Sequence, residues 1–353
     1  MTSDNQAKLL DQLSIDYPII QLPLHDADSA ELIAEVANHG GLGTLAAGFL
    51  SAAELRDRLD EISALTDRSF AVNLFANVQK DEDSEGMTRA LNRISPVFEG
   101  SDIALTTLLS REGRLTDLDT MLDVLFEYNV SAVSFSLGVP SDEILSRIKE
   151  RGIAIIGHAT HMLEALFWEE KGADIIYLQG LEASGIRDTF LGDPMDVAQP
   201  ALTLIAQAND NLTVPYIIGG GLVNKTHIDT AFALGAPAVG LATAFLMSHE
   251  SGADELYKNA LSYANEFDIK ITREWSGYPA RVVVNWGLRQ LQALEGEPAR
   301  FPAQYFLTHP MMEDKAPEDR AQFRALWANV NAPFAERLPV RQLMTQLLGI
   351  EYS

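Results

Sequence analysis

Between residues 18 and 246, short apolar runs alternate with amphipathic segments, and this alternation restricts the chain more than any other feature. The runs are PIIQLPL (18–24), LGTLAAG (42–48), FAVNLF (70–75), AVSFSLG (132–138), AIIGHAT (154–160), DIIYLQG (174–180), PYIIGGG (215–221) and AVGLATAFL (238–246). A strand buried on both faces reads as a continuous apolar run, and the helices that cover it supply the amphipathic pieces. Eight such units in one series predict an α/β fold of the closed (β/α)₈ TIM barrel type. An open doubly wound sheet usually has about five or six strands and a point where the strand order reverses.

The helix limits are partly legible. Ser51 and Glu54 have the spacing of a capping box, and SDEILSRIKERG stops on Gly152. The third unit carries an insertion over residues 76–131, including the acidic stretch KDEDSEG (80–86). From about residue 266 the alternation ends, and WSGYPARVVVNWGLRQLQAL and the segments after it read as mainly helical. The expected organisation is a barrel over 1–265 and a helical C-terminal extension over 266–353, packed back on the barrel as a lid.

Fifty acidic against 26 basic side chains leave a formal charge of −24, which repels phosphate backbones and anionic lipid, so neither nucleic acid nor a membrane is the expected partner. The absence of cysteine removes disulfides, thiolate catalysis and iron–sulfur clusters, and any redox chemistry must come from a bound cofactor. The N-terminal residues lack a basic stretch followed by an apolar one, and no run approaches the length of a spanning helix, so the expected address is cytoplasmic.

In a TIM barrel the working residues sit at the C-terminal ends of the strands, and a phosphate commonly binds after strands seven and eight. Here those positions carry Gly219-Gly220-Gly221 and Gly240-Leu241-Ala242-Thr243, where backbone amides can approach an anion; plain tight turns are the alternative. Polar residues at other strand ends, Asn73, Ser136, His158 and Gln179, suit contacts to a cofactor or substrate, or else are satisfied by backbone. HGGLG (39–43) follows a helix and precedes a strand, the reverse of a dinucleotide-binding turn, and reads as a helix end. Of seven histidines, His25 and His158 fall at strand ends where a base would stand. The His158/His161 spacing has no acidic third ligand near it, and no metal is expected.

Several of these segments, with LTDRSFAVNLF, GADIIYLQGLEASG, ALGAPAVGLATAFL and SGYPARVVVN, resemble in order the nitronate monooxygenase family, formerly called 2-nitropropane dioxygenases. The resemblance implies FMN across the barrel mouth, with Pro23 and Leu24 beside its ring and Asn73 and Gln179 in polar contact. It also implies Gly185, Gly220, Gly221, Gly240, Leu241, Ala242 and Thr243 toward the ribityl phosphate. Leu24 stands where the family usually has methionine, and Ala242 where it has glycine.

At the reacting centre the departures are larger. The family loop E-A-G-G-H-R-G-x-F, whose histidine takes the substrate proton, reads EASGIRDTF here, so Ile186 replaces the base. Ser136 stands where close members have a second histidine, and Asn329-Val330-Asn331 replaces a Gly-Gln-Gly-like turn. The implied activity is oxidation of a small nitronate-like donor with O2, with His158 or His25 as a relocated base and Ser136 beside them. The alternatives are an FMN-dependent NAD(P)H reductase for enoyl or quinone acceptors, and a flavin-binding protein without catalysis. Asp26, Asp28, Glu182 and Asp188 read as solvated decoration or, alternatively, as replacement acids. A homo-oligomer is left open.

Overall fold

The computed structural model describes residues 2–76, 84–98, 115–312 and 315–350. Eight parallel strands form one sheet: β1 (Ile19–Gln21), β2 (Thr44–Ala46), β3 (Phe70–Phe75), β4 (Val130–Ser136), β5 (Ala154–Ala159), β6 (Ile175–Gln179), β8 (Tyr216–Gly219) and β9 (Ala238–Leu241). Their order is β1-β9-β8-β6-β5-β4-β3-β2, and a parallel bridge between Ile20 and Leu42 joins the two ends. The fold is therefore the closed TIM barrel that the eight apolar runs predict, and each run contains one of its strands.

Alternation along the strands divides the core into two layers. Ile20, Ala71, Ala132, Ile156, Tyr177 and Ile217 fill the interior, and the N-terminal helix Thr2–Leu13 adds fully buried Leu9 and Leu13 to the same cluster. Ile19, Val72, Val133, Ile155, Leu178 and Val239 face outward against the helices. The capping box at Ser51 and Glu54 is formed, and Gly152 takes a positive φ just past its helix. Gly40, likewise at positive φ, closes the helix Ala30–Asn38, so HGGLG is a helix end. The insertion contains helices Ser84–Ile94 and Leu118–Leu125, while most of the acidic stretch 80–86 lies outside the described residues.

The segment after residue 266 carries the expected helices, Trp286–Gln292, Ala303–Thr308 and Val340–Leu348, together with strands that its helical reading did not include. β10 (Ile269–Thr272) and β11 (Ala280–Val283) are antiparallel strands, and β11 also pairs with the two-residue β7 (Gly185–Ile186) from the loop after β6. The β-branched run Val282-Val283-Val284 favours this, but partners remote in sequence make it possible. The last helix, Val340–Leu348, packs against helices Ala30–Asn38 and Lys225–Ala233 and thus completes the outer ring of the barrel.

Candidate active site at the barrel mouth

The C-terminal ends of the strands open into a cleft of about 850 Å³, including its mouth. Leu22, Pro23 and Leu24 after β1 form one wall, and Asp28 fixes them. Its carboxyl accepts from Leu24 N at 3.0 Å, Ala46 N at 2.7 Å and Gln21 Nε2 at 3.3 Å. Burial pushes this carboxyl up to about 7, against the hydrogen bonds that favour its charged form. Asp28 is thus a buried fastener, not solvated decoration.

The sign of the linkage is definite. Between about pH 4 and 7 the folded chain holds a proton that the unfolded chain has released, so this group's contribution to stability is full below pH 4 and lost as pH rises through 7. Between pH 5 and 8, the melting temperature of the wild type should fall relative to that of Asp28→Asn. Parallel melting temperatures at both pH values would refute this.

On the opposite wall stand Gly220, Gly221 and Leu222 after β8, Gly240 within β9 and Ala242 after it, all of which line the cleft. Gly220 and Gly221 have φ of +134° and +72°, outside the range that side-chain-bearing residues favour. The N–H groups of Gly221 and Ala242 have no acceptor among the described residues. Backbone donors left without acceptors are uncommon, and several converging on a concavity form an anion site. Leu241 and Thr243 do not line the cleft. Leu241 alternates with Gly240 and points into the outer layer, and Thr243 is buried, its Oγ1 accepting from Asn329 N at 3.3 Å.

The loop after β6 closes the third side. Gly185 has φ +72°, and β7 is held by pairing of Ile186 with Ala280 and of Gly185 with Arg281. Gln179 lines the cleft, but its amide is engaged with this loop: Nε2 donates to Ile186 O at 2.9 Å and Oε1 accepts from Asp188 N at 3.1 Å. Buried Arg187 donates to Gly180 O at 2.6 Å. The turn survives without a reactive side chain at 186 because these main-chain contacts do not depend on which side chain stands there. Ile186 itself packs with Phe75, Leu137 and Trp327 as an apolar wall.

The polar floor is one connected network. Asn73 Nδ2 donates to Ser134 Oγ at 2.9 Å and to Ser136 Oγ at 3.1 Å, Ser136 Oγ lies 3.1 Å from His158 Nδ1, and His158 Nδ1 lies 2.8 Å from Asp188 Oδ2. His158 points inward because its neighbour Gly157 points outward, directly against Trp168. His25 lines the same cleft at φ +52°, beside Phe49 and Phe75, and burial lowers its pKa. Tyr177 is edge-on to His158 with centroids 4.6 Å apart, and burial raises its pKa, so the phenol stays protonated. Of the other carboxylates, Glu182 accepts from Ala201 N at the start of a helix, and Asp26 stays exposed beside Tyr305 and Arg324.

The roof comes from the C-terminal segment. Trp327 and Asn329 line the cleft, Val330 N donates to Glu182 O, and Asn331 Nδ2 donates to Gly221 O at 2.8 Å. The Asn329-Val330-Asn331 turn therefore makes a direct contact with the glycine wall.

A family model described as nitronate monooxygenase matches residues 6–349. The chain belongs to the nitronate monooxygenase family. It is 32% identical over 352 residues to a probable nitronate monooxygenase of Bacillus subtilis (strain 168), covering 96% of this chain and 97% of that protein. It superposes on a nitroalkane oxidase from Streptomyces ansochromogenes with TM-score 0.84 and 30% identity, covering 97% of both chains. A likeness to FabK from Thermotoga maritima, TM-score 0.74 at 24% identity over 97% of this chain and 94% of that one, concerns the fold alone. Family membership makes the protein an oxidoreductase. Among the described residues no helix is long and apolar enough to cross a membrane.

Of the residues singled out in the sequence, Pro23, Leu24, His25, Asn73, Ser136, His158, Gln179, Gly185, Gly220, Gly221, Gly240 and Ala242 meet at one cleft. Two participants escape a reading by strand ends. Tyr177 sits mid-strand, so only its inward register reveals it. Asp188 is buried, yet its sequence context resembles that of the solvated carboxylates around it.

Proposed function

We propose that the chain is an FMN-dependent oxidoreductase that oxidises a small, nitronate-like anion with O2. One observation carries the reading: the unpaired amides of Gly221 and Ala242, set in a family whose members act on nitro compounds, suit the phosphate of a mononucleotide. Pro23 and Leu24 would flank the flat ring, and Asn73 would offer it a polar contact. FMN, when bound, supplies the two-electron chemistry that a chain without cysteine lacks.

The residues present do the rest. Ile186, Leu137 and Trp327 exclude water and accept the apolar part of a donor. A nitronate already carries its electron pair, so Ile186 imposes no cost on its oxidation. The test is a visible spectrum of the purified protein, alone and after anaerobic addition of nitronate or of NADH and NADPH. Yellow protein bleached by nitronate is expected. A colourless protein that takes up no FMN, or bleaching by the nicotinamides and not by nitronate, would reject the reading.

A further inference from the structure

The loop that lacks a histidine at 186 carries a carboxylate two residues later. Asp188 is 8% exposed, and its position is over-determined: its N–H bonds Gln179 Oε1, and Arg187 N donates to Pro279 O at 2.9 Å. On the far side, Glu164, itself fully buried, accepts from Leu191 N at 2.8 Å and from Thr160 N at 2.7 Å, which ties the loop to the end of β5. The carboxylate is thus delivered to His158 by both flanks of the loop, and Oδ2 meets Nδ1 at 2.8 Å.

A carboxylate only accepts hydrogen bonds, so this contact keeps the imidazole proton on Nδ1 and leaves the lone pair on Nε2. Nε2 makes no hydrogen bond among the described residues, and His158 lines the cleft. A base held in one tautomer and one orientation by a buried carboxylate, with its second nitrogen left unbonded in a residue that lines the cleft, is the arrangement general-base catalysis needs. His25 shares the cleft but has no side-chain hydrogen bond to orient it among the described residues, and His161 is engaged with Leu191 O at 3.0 Å.

We propose that His158 is the proton-accepting catalytic residue and Asp188 its positioning residue, so that neutral carbon acids such as nitroalkanes are substrates besides preformed nitronates. The proposal rests on the oxidoreductase reading above. In the step, the C–H bond beside the nitro group breaks and its electron pair remains on the substrate as the nitronate. The proton forms a bond to Nε2, and the resulting imidazolium faces the Asp188 carboxylate. The nitronate is then the anion oxidised as before. The acid–base pair has moved from one residue of the loop to a strand, with the loop retaining the stabilising charge.

The test compares nitroethane and ethyl nitronate with the wild-type holoenzyme and with Asp188→Asn and His158→Gln, each checked for folding by its melting curve. Both variants should lose at least about 100-fold more in kcat/KM for nitroethane than for ethyl nitronate, since only the neutral compound needs a base. Nitrogen NMR of the imidazoles adds a readout independent of turnover: a histidine fixed as the Nδ1–H tautomer in the wild type and released in Asp188→Asn. Undiminished nitroethane turnover in both variants overturns the proposal. So does a wild type that cannot exchange the acidic protons of nitroethane with solvent deuterium, whatever it does with nitronate. Failure on nitronate alone, with exchange intact, refutes the oxidation reading and leaves the base in place.

Discussion

Replacing Trp168 with alanine should lower stability by about 3–5 kcal/mol, the cost of emptying a large aromatic site in a core that closes only partly. Trp168 is fully buried, its ring lies 6.2 Å from that of Phe135, and a Cβ on Gly157 would fall 2.2 Å from it. Its Nε1 donates to His158 O at 2.9 Å, so the substitution also strands a buried carbonyl on the strand that carries the proposed base. Trp168→Phe keeps most of the apolar contact and loses the hydrogen bond, and should fall between the two. Urea titration orders the three proteins. A loss below about 1 kcal/mol for alanine would mean that β5 is not anchored through this indole.

The second large effect is on cofactor retention. Gly220→Val should weaken FMN binding at least about 100-fold, which is roughly 2.7 kcal/mol. At φ +134° a side chain is strained whatever space it has, and here a Cβ would also lie 3.0 Å from Gly180 Cα and 3.2 Å from Glu182 Oε2. The turn must shift, and with it the amides proposed to hold the phosphate. Gly152→Ala is the control: φ is +69° but nothing lies within 4 Å of the added Cβ, so it should cost only about 1 kcal/mol of stability and leave flavin uptake unchanged. Quenching of flavin fluorescence on titration measures both. Equal affinities for wild type and Gly220→Val would place the phosphate elsewhere.

What could be read without a structure was whatever depends on neighbours in the chain. Eight apolar runs with amphipathic spacers imply a parallel sheet closed on itself, because helices can cover the outer face of such strands while their inward side chains fill the barrel. Cap positions such as Ser51 and Gly152 follow from residue chemistry alone. The glycines after β8 also marked themselves, since positive φ has few other tenants.

The pairing partners remained hidden. Strand β11 pairs through Ala280 and Arg281 with β7, nearly one hundred residues earlier, and a propensity has no means of naming that partner. Asp188 and His158 are 30 residues apart and meet because strand register turns His158 inward while the side-chain amide of Gln179, bonded to Ile186 O and Asp188 N, aims the loop at it. The sequence alone therefore settled the layers and the rim on which chemistry occurs, since these follow from local periodicity. Tertiary structure decided which carboxylate is buried and which imidazole nitrogen stays free, since burial and hydrogen bonding arise only when distant segments share one space.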